Sequence, residues 1–278
     1  MNKKTVLVTG ILGFLGKNLI QHLLERGYQV VGVAQSENSI SKFERKNNLN
    51  IPIYMLDISN NYYNLKRIIE KHSVDYIIHA AAMKHVGLCE KNPTRAYEVN
   101  VEGSRNILRA AKEAGIKNAI GVSTDKAINP TSVYGATKNM MEKMFLENEY
   151  GIFQGVNFLY SSESVLEIWE EQRQESTPLL VHPDSTRYFI MIDSVSKKII
   201  DCLDYRETFF LDKCFKIKIT DLQEAFSEIY NYWEVEDYRG WGVEKIVEEI
   251  SPEIEIISPT KEEIKQLLKI HLKKREKK

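Results

Sequence analysis

The first half of the chain alternates short apolar runs with longer stretches in which apolar residues recur every three or four positions. The runs predict β-strands, and the periodic stretches predict amphipathic helices. The predicted strands cover residues 5–9, 30–33, 53–56, 76–79 and 119–123. The predicted helices cover residues 17–26, 64–72, 101–114 and 134–149. Regular alternation of this kind predicts an α/β fold, a doubly wound parallel sheet with helices on both faces.

After about residue 160 the segments become shorter and more charged. The predicted helices lie at 163–175, at 194–203, from Asp221 onwards and at 261–278, and the predicted short strands lie at 209–211 and 215–219. We therefore predict one domain over residues 1–160 and a smaller mixed region over residues 161–278, part of which completes the sheet.

The composition narrows the classes of function. A chain of 278 residues with 43% hydrophobic residues can bury a sizeable core. The net charge of −1 gives no overall attraction to nucleic acid. No apolar run approaches the ~20 residues of a membrane span, and the N-terminal residues do not resemble a secretory signal. Three cysteines without metal-ligand spacing fit reduced core thiols. We expect a cytoplasmic protein that binds no nucleic acid, membrane or metal.

Three glycines follow the first predicted strand and open the first predicted helix, with the spacing Gly10-x-x-Gly13-x-x-Gly16. In such a loop, backbone N–H groups approach a pyrophosphate closely and the helix N-terminus adds positive potential. The pattern predicts a Rossmann-type dinucleotide site, and a glycine-rich turn that binds nothing is the competing interpretation. The candidate cofactor-binding residues of the loop are Gly10, Leu12, Gly13, Phe14, Leu15 and Gly16.

The residues after the second predicted strand bear on the choice of cofactor. NAD sites usually place an acidic residue there, which binds the ribose diol. Gln35 and Ser36 are neutral instead, and they suit a 2′-phosphate to which Lys42 or Arg45 could add charge. The sequence therefore favours NADP over NAD.

The ends of the third and fourth predicted strands add candidate cofactor contacts. Asp57 stands where a carboxylate can meet the adenine amino group, with Ile58 next to it, and Asp57 equally fits a helix N-cap. Ala80, Ala81 and Ala82 have side chains small enough for a flat cofactor to lie against the backbone.

Tyr134 and Lys138 lie four residues apart, on one face of the predicted helix that follows the fifth strand. A protonated lysine beside a tyrosine stabilises the phenolate. Lowering the phenol pKa from ~10 towards 7 requires about 4 kcal/mol, which an ammonium and a bound nicotinamide ring together can provide. Such a tyrosine accepts a hydroxyl proton while hydride leaves the same carbon. A Tyr-x-x-x-Lys pair is common by chance, but its place after Ser123-Thr124 favours the catalytic interpretation.

Asp125 and Lys126 come just before this pair. An adjacent acid and amine near a polarised ketone suit the elimination of water, which simple alcohol oxidation does not need. A role for Asp125 in capping the following turn is the alternative. The sequence thus predicts an enzyme whose chemistry goes beyond alcohol oxidation.

These blocks resemble the extended short-chain dehydrogenase/reductases. More narrowly, they are similar to the inverting UDP-N-acetylglucosamine 4,6-dehydratases (5-epimerising) of pseudaminic acid and capsule-sugar biosynthesis. The resemblance is close over residues 5–150 and loose afterwards. The matching stretches are Ala80-Ala-Ala-Met-Lys-His-Val86, Glu90, Asn92-Pro93, Asn100-x-x-Gly103-x-x-Asn106, Ser123-Thr-Asp-Lys-Ala-Ile-Asn-Pro-Thr-Ser-Val-Tyr-Gly-Ala-Thr-Lys138 and, more weakly, Thr186-Arg-Tyr-Phe189 and Ile219-Thr-Asp-Leu222.

The resemblance implies a three-step cycle on a UDP-sugar. Tyr134 would take the C4 hydroxyl proton while NADP accepts hydride, and Thr124 would hold that hydroxyl. Lys126 would then remove the C5 proton, and Asp125 would expel the C6 hydroxyl as water. Hydride would return to C6, and a proton to C5 from the opposite face. The implied catalytic residues are Thr124, Asp125, Lys126, Tyr134 and Lys138.

The resemblance also extends the binding residues. Lys84 and Asn100 join Tyr134 and Lys138 as candidate cofactor contacts. The candidates for binding the substrate are Lys84, Glu90, Arg187 and Arg239. An ordinary loop position for Lys84, and ion pairs for the two arginines, are the competing interpretations. The resemblance further implies a homo-oligomer and a small C-terminal substrate-binding lobe.

Two segments depart from the family pattern. Residues 156–164 replace an Arg-Tyr-Gly-Asn-Val stretch and a glycine-serine loop, and residues 239–245 replace an Arg-Pro-Gly-Glu-Lys segment. Three functions therefore stay open. The first is the dehydratase/5-epimerase itself. The second is a related enzyme that acts on a 5,6-ene or 4-keto UDP-sugar made by a partner dehydratase. The third is a catalytically silent NADP-binding sensor.

Overall fold

The computed structural model describes residues 3–47, 49–161, 164–238 and 248–275. In this part of the chain the strands are β1 (Thr5–Thr9), β2 (Gln29–Ala34), β3 (Ile53–Met55), β4 (Tyr76–His79), β5 (Asn118–Thr124), β6 (Gly151–Gly155), β7 (Asn157–Phe158), β8 (Leu179–Val181), β9 (Thr186–Ile190), β10 (Thr208–Phe209), β11 (Lys213–Lys218), β12 (Val235–Asp237) and β13 (Glu255–Ile257). The helices are α1 (Phe14–Glu25), α2 (Glu37–Lys46), α3 (Tyr62–Lys71), α4 (Val86–Lys91), α5 (Pro93–Tyr97), α6 (Gly103–Glu113), α7 (Val133–Glu147), α8 (Val165–Glu175), α9 (Ile192–Asp201), α10 (Ile219–Tyr230) and α11 (Lys261–Arg275). A π-helical turn (Glu98–Glu102) precedes α6, and a 3₁₀ turn (Asp125–Ala127) follows β5.

The chain divides into two compact units. The first comprises Met1–Gly155 and Ile192–Phe210, and the second comprises Val156–Met191 and Leu211–Lys278. A segment from the second half of the sequence, with α9 and β10, therefore belongs to the first unit.

The first unit is built on a seven-stranded parallel sheet in the order β10-β6-β5-β4-β1-β2-β3. This confirms the predicted doubly wound α/β fold. All five residues of β1 are buried. A central strand covered on both faces is apolar throughout instead of alternating, which is why the sequence marked it so clearly.

The strand order of the sheet reverses at β1: β2 and β3 follow on one side of it, and β4, β5 and β6 follow on the other. Thr9, the last residue of β1, is aligned with Val33 on β2 and with His79 on β4. Open parallel sheets bind ligands outside the carboxyl ends of their strands at such a reversal. The glycine loop and residues 80–84 both start there, so the fold brings the predicted cofactor segments to one edge.

The second unit contains a four-stranded mixed sheet in the order β13-β11-β9-β7 and a two-stranded sheet, β12-β8. Its core includes Trp169 on α8 and Phe226 on α10, whose ring centroids are 5.6 Å apart. Ile264 and Leu268 on α11 join this core. Burial of these two residues explains why the charged stretch after residue 261 forms a helix.

Two further findings concern the helices. The sequence pattern did not predict α2, because its only apolar residues are Ile40 and Phe43 and none of its residues is buried. Its start is specified by Ser36, whose hydroxyl accepts the Ser39 N–H at 3.2 Å.

None of the described helices is long and apolar enough to cross a membrane.

Candidate active site

The loop between β1 and α1 brings three backbone segments into contact. Gly10 has a φ of +67°, and its N–H donates to the Val33 carbonyl at 2.9 Å. A Cβ at Gly10 would lie 2.8 Å from the Ala81 nitrogen, and a Cβ at Gly16 would lie 2.4 Å from the Gly10 oxygen. Side chains do not tolerate such distances to backbone, so glycine is required at both positions.

The start of α1 fits a bound anion. Gly13 is the N-cap residue, is exposed and provides no side chain to cap the helix. The first N–H groups of α1 are therefore left for another acceptor, and the helix dipole favours negative charge there. Leu12 and Leu15 are buried under the loop, and Phe14 is partly exposed. This arrangement of glycines and backbone N–H groups suits the pyrophosphate of a dinucleotide.

The carboxylate of Asp57 joins the ends of β2 and β3. Its Oδ1 accepts the N–H of Ser59 at 3.0 Å and the Ser59 hydroxyl at 2.7 Å. Its Oδ2 accepts Gln35 Nε2 at 3.1 Å and Arg95 Nη2 at 2.6 Å. Burial alone would raise the pKa of Asp57, but the hydrogen bonds from Ser59 and Arg95 hold it below its usual value. The alternative role as N-cap of the next helix is wrong, because Asn61 occupies that position.

Asn100, Gly103 and Asn106, which lie three residues apart, hold the loops that follow β3 and β4. Asn100 accepts the Met83 N–H at 2.8 Å and donates to the Met83 carbonyl at 3.0 Å. A Cβ at Gly103 would lie 2.9 Å from Ile58 Cδ1, so Ile58 packs directly on the helix backbone. Asn106 donates to the Ile58 carbonyl at 2.8 Å. Asn100 therefore fixes the loop that carries residues 80–84, and its amide is engaged by backbone.

His79, which the sequence reasoning missed, links the same loops inside the sheet. Its Nδ1 lies 2.7 Å from Thr9 Oγ1, and its Nε2 lies 2.9 Å from Ser104 Oγ. Ser104 donates to the Asn100 carbonyl at 2.6 Å, so its oxygen accepts from His79 Nε2–H and Thr9 donates to Nδ1. Burial lowers the pKa of His79 to about 3, and the ring is neutral. A polar residue at the end of an apolar strand is the signal that could have identified it.

The last residue of β5 and the turn after it carry three of the predicted catalytic residues. Thr124 Oγ1 donates to Asp125 Oδ1 at 2.7 Å, and the Lys126 N–H donates to the same oxygen at 3.0 Å. Lys126 Nζ lies 3.6 Å from that oxygen. A Cβ at Gly135 would lie 2.2 Å from the Lys126 oxygen, so the start of α7 touches this turn through its backbone. Tyr134 has a hydrogen bond with Thr124 and electrostatic interactions with Asp125 and Lys126, so it lies near these three residues.

The phenol of Tyr134 differs from the expectation of a low pKa. Burial raises the pKa of Tyr134 to about 12, and Lys126 and a hydrogen bond with Thr124 oppose that shift. Lys138 directs its ammonium to the Val122 carbonyl, at 2.6 Å. Burial lowers the pKa of Lys138 to about 8. The ammonium that acts on Tyr134 in the protein alone is therefore Lys126, and it does not bring the pKa of the phenol down to its usual value of about 10.

Glu90 and Lys84 are the predicted substrate-binding residues in the first unit. Glu90 forms a hydrogen bond with the backbone. Its Oε1 accepts the N–H of Val133 at 2.7 Å, which anchors the first residue of α7. Lys84 is exposed in the loop held by Asn100. Both residues border the predicted catalytic and cofactor segments.

In the second unit, Arg187 on β9 faces an acid. Its Nε lies 3.5 Å from Glu248 Oε1, and Asn157 Nδ2 donates to the other oxygen of Glu248 at 2.7 Å. Glu248 is buried, so the pair is shielded from solvent. Arg239, the other candidate for a diphosphate, lies outside the described residues.

Comparisons with known proteins agree with this fold. The family model described as "Polysaccharide biosynthesis protein" matches residues 6–267. An uncharacterized membrane protein of Methanocaldococcus jannaschii is 34% identical over 240 residues, 81% of this chain and 71% of that protein. The UDP-N-acetylglucosamine 4,6-dehydratase (inverting) of Campylobacter jejuni is 31% identical over 239 residues, 81% of this chain and 72% of that protein.

Among solved structures, Pen from Bacillus thuringiensis is 26% identical, with a TM-score of 0.85 and coverage of 96% of this chain and 97% of that chain. The resemblance inferred from the motifs is confirmed. The chain belongs to the polysaccharide biosynthesis protein family and to the extended short-chain dehydrogenase/reductases.

Proposed function

We propose that this protein is a nucleotide-sugar-modifying enzyme of the UDP-N-acetylglucosamine 4,6-dehydratase/5-epimerase type that uses NADP. The observation that carries the proposal is the backbone contact of Gly135 with Lys126, which holds the Asp125–Lys126 pair next to Tyr134. An oxidation or a 4-epimerisation needs only the tyrosine and a cofactor, whereas elimination of water also needs a base and an acid. The similarity to the Campylobacter jejuni dehydratase supports the same reaction class.

The chain's own residues divide the chemistry as follows. A dinucleotide held by the Gly10–Gly16 loop would supply reversible hydride transfer, from C4 to the cofactor and back to C6. Tyr134 accepts the C4 hydroxyl proton, and Thr124 holds that hydroxyl. The 4-ketone acidifies C5–H. Lys126 passes its ammonium proton to Asp125, whose Oδ1 lies 3.6 Å away, and the free amine of Lys126 then removes the C5 proton. Asp125 donates the proton that leaves with the C6 oxygen as water. Reprotonation of C5 from the opposite face inverts that centre.

The preference for NADP rests on the junction of β2 and α2. Gln35 and Ser36 are exposed and neutral, and α2 begins directly after them. A helix N-terminus favours a phosphate group, and Lys42 and Arg45 are exposed on the same helix. Tighter binding of NADP than of NAD in a titration of the protein tests this preference.

A second candidate function is the conversion of a 5,6-ene or 4-keto UDP-sugar supplied by a partner dehydratase. It is favoured by the departure of residues 156–164 from the family's sugar-binding stretch and by the engagement of Arg187 with Glu248. The same Tyr134, Asp125 and Lys126 would serve this reaction with a different sugar pocket.

Proton NMR in deuterated water separates these functions. We expect the protein to convert UDP-N-acetylglucosamine into a 4-keto-6-deoxy sugar that carries deuterium at C5. Conversion of the 5,6-ene or 4-keto sugar alone would favour the second candidate. No conversion of any of these sugars by the cofactor-loaded protein would overturn both and favour the sensor.

The variant Lys126→Ala tests the role of the base. We expect it to bind the dinucleotide normally and to lose C5 exchange. Lys143→Ala changes an exposed lysine on α7 and is the matched control, with exchange unchanged. Deuterium incorporation at the wild-type rate in Lys126→Ala would exclude Lys126 as the base.

A further inference from the structure

A buried carboxylate lies one helical turn after Lys138 on α7. Glu142 is 8% exposed and Lys138 is 3% exposed. Residues four apart share one face of a helix. Charged side chains are rarely buried unless another group compensates their charge. Lys138 is one of the implied catalytic residues, whereas the carboxylate of Glu142 has no role so far.

Glu142 is held in place from the sheet. Gln154 on β6 donates from Nε2 to Glu142 Oε1 at 3.1 Å. Gln154 is itself aligned with Ser123 on β5, next to the carboxyl ends of both strands. The hydrogen bond fixes the position of the carboxylate and leaves its negative charge intact.

The ammonium of Lys138 is a buried charge bonded to a neutral group. Its Nζ donates to the Val122 carbonyl at 2.6 Å. Burial pulls the pKa of Lys138 down to about 8, and the charge of Glu142 acts in the opposite direction. Without that opposing charge, a larger share of Lys138 would be neutral near pH 8.

Other titratable groups lie around Lys138. His79 on β4 is neutral, and Lys138 contributes to its low pKa. Tyr134 precedes Lys138 by one turn of α7, and the Asp125–Lys126 pair interacts with Tyr134. None of these groups is a carboxylate on the Lys138 face of α7, which distinguishes Glu142 from them.

We propose that Glu142 is a positioning residue whose carboxylate, tethered by Gln154, keeps the ammonium of Lys138 charged at the working pH. The inference deepens the proposed function, because Lys138 is one of the residues expected to contact the dinucleotide. It can be tested without any sugar, because the charge of Lys138 is measurable in the protein alone.

The test compares Glu142→Gln with wild type. The amide keeps the shape and an acceptor for Gln154 but removes the charge. We expect Lys138 to titrate about one pH unit lower, the lower end of the effect of a close opposite charge. At pH 8 the protonated fraction of Lys138 then falls about fivefold, and it recovers near pH 6. NMR of the lysine side chains measures this titration, with the Lys138 signal identified by its loss in Lys138→Met.

Activity and two further variants complete the design. We expect the alkaline limb of the kcat/KM profile of Glu142→Gln to move by the same amount, and Glu142→Asp to restore it. Glu147→Gln changes an exposed acid on the same helix and is the matched control.

An unchanged Lys138 titration in Glu142→Gln overturns the inference, as does an equal shift in Glu147→Gln. A shifted titration in a protein that converts no sugar supports the inference and contradicts the proposed function. If Glu142→Gln does not fold, Gln154→Leu, which frees the carboxylate, is expected to shift the Lys138 titration by a smaller amount, and no shift overturns the inference.

Discussion

Replacing Gly135 by alanine tests whether the backbone contact between α7 and the Lys126 turn organises the site. Alanine is normally the better residue inside a helix, by about 1 kcal/mol, so the helix itself gains stability. A Cβ at this position would lie 2.2 Å from the Lys126 oxygen, whereas ordinary contacts begin at 3.4 Å. The helix and the turn must therefore separate by about 1.2 Å to accept one methyl group.

A separation of this size affects stability and rate differently. Forcing an extra methyl group into a packed site costs about 1–3 kcal/mol, which the helix propensity of alanine partly offsets. A misplacement of about 1 Å can cost about 100-fold in rate. We expect Gly135→Ala to lose at most about 2 kcal/mol of stability, to bind the dinucleotide within a few-fold of wild type and to lose about 100-fold in kcat.

Gly27→Ala provides the control for a general loss of stability. Gly27 has a φ of +82°, and nothing lies within 4 Å of a Cβ built there. Alanine at this positive φ strains the backbone by about 1 kcal/mol. Gly27 precedes β2, at the amino ends of the strands, whereas the site lies at their carboxyl ends. Urea denaturation and steady-state kinetics of both variants measure the two effects. Wild-type kcat in Gly135→Ala, or an equal loss of kcat in Gly27→Ala, would refute the reasoning.

Two further substitutions probe the site. Tyr134→Phe removes the phenolic O–H with little change of shape. We expect the rate of cofactor reduction in a single turnover, measured by absorbance, to fall by ~10²-fold or more. An unchanged rate would indicate another base. Arg95→Ala removes a partner that lowers the pKa of Asp57. Because that pKa is lowered on folding, the stabilisation is present above about pH 4 and is lost as the pH falls through the folded value. We expect a loss of about 0.2–1 kcal/mol at pH 7 that shrinks at pH 3 in urea denaturation, and an equal loss at both pH values would contradict this.

The fold was predictable because each central strand is a continuous run of mostly apolar residues, which can be recognised from neighbouring positions in the sequence. The strand Thr5–Thr9 is buried along its whole length, and Tyr76–His79 was predicted with the same bounds. The glycine loop and the segment from Ser123 to Lys138 are likewise continuous in sequence. Their residue types and spacings sufficed to predict a dinucleotide fold and a candidate catalytic segment.

The remaining contacts of the site join residues that are distant in sequence. Arg95 reaches Asp57 across 38 positions, and His79 reaches Thr9 across 70. Such pairs depend on the register between strands, which no local pattern contains. The raised pKa of Tyr134 was also not predictable, because it depends on how deeply α7 and the β5 turn bury the phenol.

The spacing from Asn100 to Asn106 makes the length of this stretch as important as its chemistry. One inserted residue would turn everything after it by about 100° around the helix axis. Asn106 would then swing away from the Ile58 carbonyl, while Asn100 kept its two bonds to Met83. The loops after β3 and β4, which carry the predicted cofactor contacts Asp57 and residues 80–84, would lose their common alignment through a change that removes no side chain. Insertions should therefore be far less tolerated here than conservative substitutions.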